Sequence, residues 1–289
     1  MKTLVFFTIF VSLLGHSQEN LNSSIGEVRS GGFHVCYAKN DILKCFGKNN
    51  YGQAMKETRV KNLISFTAGA YHTCAIDDDG AKCWGYNLYG QVDVPTNLKN
   101  PTQISAGYDH SCVLDDEGVK CWGNNTHGQS TVPANLINPT QVSTGYSHTC
   151  AIHAEGVKCW GDNRHHQLEV PKNLKNPTQI SVGDWYSCAI DDEGVKCWGS
   201  SRYYGQLLVP KHIKNPIQVS VGYRHLCALD EKGVHCWGAN DLGQRAIPTN
   251  LINPTQISSG MNDFTCGVSA SGIKCWGNFK ITDLEYIKL

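Results

Sequence analysis

Fourteen cysteines fall into seven pairs of identical internal spacing: Cys36 and Cys45, Cys74 and Cys83, Cys112 and Cys121, Cys150 and Cys159, Cys188 and Cys197, Cys227 and Cys236, Cys266 and Cys275. Successive pairs begin 38, 38, 38, 38, 39 and 39 residues apart, so the chain is seven copies of one supersecondary unit. Each copy runs through an alternating segment such as TQISAG (Thr102 to Gly107), then HSCVL, a DDEG turn, VKCWG, a variable stretch ending in Gly-Gln, a short run to proline, and NLINP. Alternation, β-branched residues and glycine-bearing turns predict four short strands per unit, and no helical period appears. Ring closure protects the sheet edges that an open stack would expose. The expected fold is therefore all-β: a seven-bladed β-propeller of four-stranded blades, with the two chain ends meeting in one closing blade.

The hairpin register fixes the cysteine chemistry. In the third unit a two-residue loop at Asp116 and Glu117 sets Asp115 opposite Gly118 and, counting back, Cys112 opposite Cys121. Pair types alternate along an antiparallel ladder, which makes this a non-hydrogen-bonded pair with Cα atoms about 4.5 Å apart, at the close end of the disulfide range. The same count holds in all seven units, so one within-hairpin disulfide per blade is expected. Metal binding is disfavoured, because an eight-residue gap spread over two strands does not match the short ligand spacings of zinc sites. No metal and no cofactor are expected.

An even cysteine set of this kind persists in oxidising compartments. Residues 1–17 agree: Lys2, an apolar run from Leu4 to Leu14, and the small-residue ending Gly15-His16-Ser17 form the pattern of a secretory signal peptide. Its removal leaves residues 18–289 as a single propeller domain with 24 basic and 25 acidic residues, Lys2 being the one charge lost. A formal charge of −1 supplies no field of the kind that draws nucleic acid or anionic membranes, and no later stretch approaches the length of a membrane span. The expected product is secreted, in a periplasmic or extracellular setting, and monomeric.

The phrase G-Y-x-H-[ST]-C-A-[IL]-x-x-x-G-V-K-C-W-G-x-N, with its trailing Gly-Gln, resembles the repeat of the regulator of chromosome condensation family over essentially the whole mature chain. That resemblance implies a seven-bladed propeller. The short period and the endings GQVDVP, GQSTVP and HQLEVP are similar to the secreted branch of the superfamily typified by the type II β-lactamase inhibitory protein, most of all around WGDNRHHQLEVP and GDWYSCAI. The cysteines depart from the family pattern, which has Leu-like and Ala-like residues there, and export is at odds with the nuclear GTPase activity of its chromatin-binding members. Propellers host unrelated functions, so function has to be argued from the site.

Recurrence separates scaffold from site. Trp84, Trp122, Trp160, Trp198, Trp237 and Trp276, with Phe46 in the first unit, are expected to pack between blades. His34, His72, His110, His148 and His225 are expected to make local backbone hydrogen bonds. In an up-down-up-down blade the A–B and C–D loops share one face, and the B–C turn and D–A connection share the other. The second face is monotonous (Asp77-Asp78-Asp79-Gly80, Asp115-Asp116-Glu117-Gly118, Asp191-Asp192-Glu193-Gly194), and turn chemistry accounts for it. The first face carries the variation. Tyr71, Tyr108, Tyr146 and Tyr223 repeat and are in part structural, whereas Trp185, Arg164, His165, Arg202, Tyr203 and Tyr204 break the repeat, and Tyr86 and Tyr89 add aromatic surface. Tyr, Trp and Arg dominate binding hot spots. The inhibitor-like resemblance implies partner contacts at Trp185, Asp162 and Arg164.

No nucleophile with a base and an orienting group, and no pair of unlike carboxylates, stands out from the repeat, so catalysis is not expected. The leading expectation is a protein-binding module, in its narrower form an inhibitor of a β-lactamase or penicillin-binding enzyme. The alternative is recognition of an envelope, cell-surface or glycan ligand, which aromatic loops around a ring would also serve.

Overall fold

A computed structural model describes residues 26–55, 57–200 and 204–279; the expected signal peptide lies outside them. Seven antiparallel sheets follow one another along the chain. Each starts with a four-residue inner strand: Glu27–Ser30, Ser65–Ala68, Gln103–Ala106, Gln141–Thr144, Gln179–Val182, Gln218–Val221 and Gln256–Ser259. A six-residue middle strand and a six-residue outer strand come next, His110–Asp115 and Gly118–Gly123 in blade 3. Every inner strand touches the inner strand of the next blade, and Gln256–Ser259 touches Glu27–Ser30, which closes the ring of seven.

The hairpin register matches the count made on the sequence. Cys112 faces Cys121 and Asp115 faces Gly118, and the equivalent cysteines face each other in the other blades. All seven pairs are bonded, with Cα atoms 4.0 or 4.1 Å apart.

One expectation is corrected. Among the described residues only blade 1 has a fourth strand, Thr58–Arg59, paired with Ile42 and Leu43; the other six sheets have three. Units two to six carry Pro95, Pro133, Pro171, Pro210 and Pro248 in the fourth segment, where unit one has none. Proline has no N–H to give a ladder and is confined to strand edges. The fourth segment therefore runs as irregular chain that still packs Val94 and Leu98, or Val170 and Leu174, onto the core. The expected meeting of the chain ends in one closing blade involves residues 281–289, which lie outside the described residues; among the described residues blade 1 is built from the first unit and blade 7 from the last. Closure is by side packing and side-chain hydrogen bonds, Val28 N donating to Gln256 Oε1 at 2.8 Å and Ser30 N to Ser258 Oγ at 2.7 Å.

Those bonds repeat around the ring. The inner edge of each sheet presents backbone N–H groups that no strand pairs, and an unpaired buried donor is costly. Gln103, Gln141, Gln179 and Gln218 accept from Val142, Ile180, Val219 and Ile257 N of the following blade. Ser105, Ser143, Ser181 and Ser220 accept from the N–H two residues further on. The TQIS motif thus caps the next blade's edge.

The outer strands supply the wedges between blades. Trp122, Trp160, Trp198, Trp237 and Trp276 are buried, and each donates Nε1–H to a glutamine carbonyl of the preceding blade (Gln91, Gln129, Gln167, Gln206 and Gln244) at 2.8–3.0 Å. The histidines depart from expectation. His34, His72, His110, His148 and His225 bond a Ser or Thr hydroxyl of the next blade through Nε2, at 2.7–2.9 Å, rather than local backbone. Thr149 Oγ1 already donates to Gln129 O, so it must accept from His110 Nε2–H, which sets the tautomer. Four of these rings, those of His34, His72, His110 and His225, also lie against their loop glycine: a Cβ on Gly107 would sit 2.8 Å from His110 Cε1 and would collide with Gly145 O, so only glycine fits.

Candidate protein-binding face

The backbone confirms the sorting of loops. Tyr86, Asn124, Asp162, Ser200 and Ala239, at the starts of C–D loops, donate N–H to carbonyls of A–B loops in the same blade, Asp162 to Ser147 at 2.8 Å. On the opposite face, Asp115 accepts from Glu117 N and Lys99 N and pairs with Lys120 Nζ at 2.7 Å. Asp191 repeats the pattern with Glu193, Lys175 and Lys196. The monotonous carboxylates therefore tie turn to connection.

Two aromatic groups occupy the variable face. The first spans blades 1 to 4. Phe33 stacks on Tyr71 with centroids 5.0 Å apart, Tyr51 lies 4.7 Å from Tyr86, Tyr71 5.6 Å from Tyr108, and Tyr108 4.2 Å from Tyr146. Tyr51 and Tyr146 are 51% and 40% exposed, so this arc is accessible surface rather than core. The second group spans blades 4 to 6. Trp185 sits 5.1 Å from the His165 ring and 6.1 Å from that of Tyr223. Arg224 lies over the Tyr204 ring, donates to its hydroxyl at 3.1 Å, and bridges Asp241 at 2.9 Å and Asp263 at 2.7 Å.

Of the residues singled out from the sequence, Trp185, His165 and Tyr204 fall in the second group and Tyr86 in the first. Tyr89 is exposed in the same C–D loop as Tyr86, its N–H held by Gln91 Oε1. Asp162 is buried, and Arg164 folds back on it through three bonds of 2.8–3.0 Å while its own side chain stays exposed. The guanidinium holds the Asp162 carboxyl below the usual carboxylate range. Asp162 thus shapes its loop, leaving Arg164 as the surface group. Arg202 and Tyr203 lie outside the described residues.

Sequence reasoning set less weight on the acidic groups between the aromatics. Asp184 is 4% exposed, its Oδ1 has no hydrogen-bond partner, and burial pushes its carboxyl up to about 8. Half-buried Asp109 is pushed up to about 6 by the same cause. The signal was visible as GDW at 183–185, where three other units have GY. Asp263 was hidden because the last unit inserts one residue there (GMNDF).

Five segments, 63–91, 102–129, 140–167, 178–206 and 217–244, match the model of the regulator of chromosome condensation (RCC1) repeat. Among curated proteins no sequence match is found. Solved structures do match. The CRINKLY WD40 ectodomain of the Arabidopsis thaliana receptor kinase ACR4 is 26% identical with a TM-score of 0.69, over 88% of this chain and 97% of that one. The entire ectodomain of the Physcomitrella patens receptor kinase CR4 is 26% identical with a TM-score of 0.68, over 86% and 72%. Prp20p from Saccharomyces cerevisiae shares the fold at 16% identity and a TM-score of 0.69, over 89% and 83%. Repeat matches inside five consecutive blades, and propellers of the same kind among the solved structures, lead to one assignment: this chain belongs to the regulator of chromosome condensation repeat family.

Proposed function

We propose that the protein is an exported binding module that holds a protein partner on the face carrying Trp185. The observation that carries this reading is one-sidedness: aromatic and Arg side chains gather on the face of the A–B and C–D loops, while the other face commits its charges to turns. Seven disulfides and similarity to two receptor ectodomains support an extracellular setting. No helix among the described residues is long and apolar enough to cross a membrane. A disc stapled in every blade presents its loops with little ordering cost, which favours association. The partner's contact set comprises Trp185, His165, Arg164, Tyr204, Tyr86 and Tyr89, with Arg202 and Tyr203 from the same C–D loop as Tyr204.

The narrower form of the proposal is inhibition of a β-lactamase or penicillin-binding enzyme. Calorimetric titration of the mature protein against a panel of these enzymes, beside Trp185→Ala and Lys196→Ala, tests it. Binding weakened by about 2 kcal/mol or more in Trp185→Ala, with the opposite-face variant unaffected, is the expected outcome. Silence across the panel removes the inhibitor reading.

A further inference from the structure

Sevenfold repetition makes a departure at the two boundaries joining blades 5, 6 and 7 conspicuous. At five boundaries the residue after the A–B loop glycine donates its N–H to the next blade's loop glycine, as Tyr108 does to Gly145 O at 3.1 Å and Tyr146 to Gly183 O at 3.2 Å. Between blades 5 and 6 the Gly222 carbonyl instead accepts from Tyr186 Oη at 3.0 Å. Tyr186 stands where five units have histidine. At this altered step Asp184 takes the position occupied by Tyr108, Tyr146 and Tyr223 in their blades. Two carboxylate oxygens there, Asp184 Oδ1 and Asp263 Oδ1, are buried without a hydrogen-bond partner.

A buried carboxylate oxygen left unpaired is expensive and exceptional. The guanidinium on this face does not relieve it, because Arg224 is committed to Asp263 Oδ2 and Asp241. Asp263 from blade 7 adds a like charge that raises the Asp184 carboxyl further. Asp184 in turn acts on Tyr146 from blade 4, Tyr223 from blade 6 and Tyr186 two residues further along its own chain. The two carboxyls are thus a buried acidic pair that acts on tyrosines of both neighbouring blades.

We propose that Asp184, with Asp263 beside it, receives an alkylammonium group at the mouth of the ring. An ammonium is a compact charge with three donors, enough for both orphaned oxygens and one more acceptor. The tyrosine rings of these blades favour a cation electrostatically. Among the described residues no cluster of three metal-ligating side chains forms, so the donor set suits an organic cation rather than a divalent metal. The source is a lysine side chain of the protein partner or a free amine. In its first form the inference deepens the binding reading and rests on it for the partner alone.

Calorimetric titration of the mature protein with n-butylammonium chloride, Nα-acetyl-lysine methylamide and n-butanol, with no protein partner present, tests the site. Saturable binding of an ammonium, absent for the alcohol and about tenfold weaker or more in Asp184→Asn, is expected. Proton release is expected at pH 7, read from buffers of different ionisation enthalpy, because the empty site holds its proton. Tighter binding of the lysine derivative assigns the site to a partner's side chain; tighter binding of butylammonium assigns it to a free amine. No saturable heat, or equal affinity in Asp184→Asn, overturns the proposal. Asp184→Asn removes an uncompensated acid, so it should melt no lower than the native chain at pH 7, which keeps loss of binding distinct from loss of fold. Failure here leaves the protein-binding face standing, and silence of the enzyme panel leaves this site standing.

Discussion

At His110 the imidazole donates Nε2–H to Thr149 Oγ1 at 2.8 Å, and Thr149 passes its own proton to Gln129 O at 3.0 Å. Thr149→Val removes the acceptor and leaves a fully buried N–H unpaired. We expect a loss of about 1–3 kcal/mol, read as a lower urea midpoint with unchanged slope. The importance of the histidine was visible in its recurrence, but its partner was not. Threonine 149 belongs to the next unit, 39 residues along, and only ring packing brings the two together. Residues judged one unit at a time read as locally bonded. Asp162 shows the same limit: the inhibitor-like resemblance marked it for partner contact, while Arg164 occupies its carboxylate.

Hairpin geometry was legible to the residue, because the Asp-Glu loop in blade 3 and the two-residue side-chain period set Cys112 opposite Cys121. The fourth strand was overread, since its composition is strand-like while Pro95 and its equivalents withhold the donor that a ladder needs. Replacing Cys112 and Cys121 together by Ser should cost about 2–3 kcal/mol, the loop-closure value for a bridge of this span. Thermal melts of the double variant beside the native protein check this. The inner-edge caps set a second expectation: Gln179→Ala strips the acceptor from Val219 N and should lower stability by about 1–3 kcal/mol. Hydrogen exchange should then quicken at Val219 ahead of the middle strands.

Across the whole ring, five buried histidines make stability depend on pH. Burial lowers His34, His110 and His148 to about 3, and His72 and His225 to about 4. The unfolded chain binds these protons near pH 6.5 and the folded chain does not, so stability is full above that pH and is lost as pH falls below it. Asp184 and Asp109 act oppositely, because their raised folded values keep protons on the native state up to about 8 and about 6. Five protons against two leave a net of three, so stability should fall by up to about 4 kcal/mol per pH unit between pH 6 and 5. Melting temperatures across that window test the sign; a rise on acidification would contradict it. The seven-membered ring was readable from the cysteine period. Its seam was not, because the bonds from Gln256 and Ser258 to blade 1 join residues 228 positions apart.

The central claim is that one face of this ring binds protein. A photo-crosslinking residue placed at Trp185, and separately at Glu193 on the opposite face, in mature protein returned to the extracellular material of its own source, tests that claim without presupposing the partner. The account predicts a discrete protein adduct from position 185, abolished by excess unlabelled protein, and none from position 193. Equal adducts from both positions, or adducts from 193 alone, would contradict it.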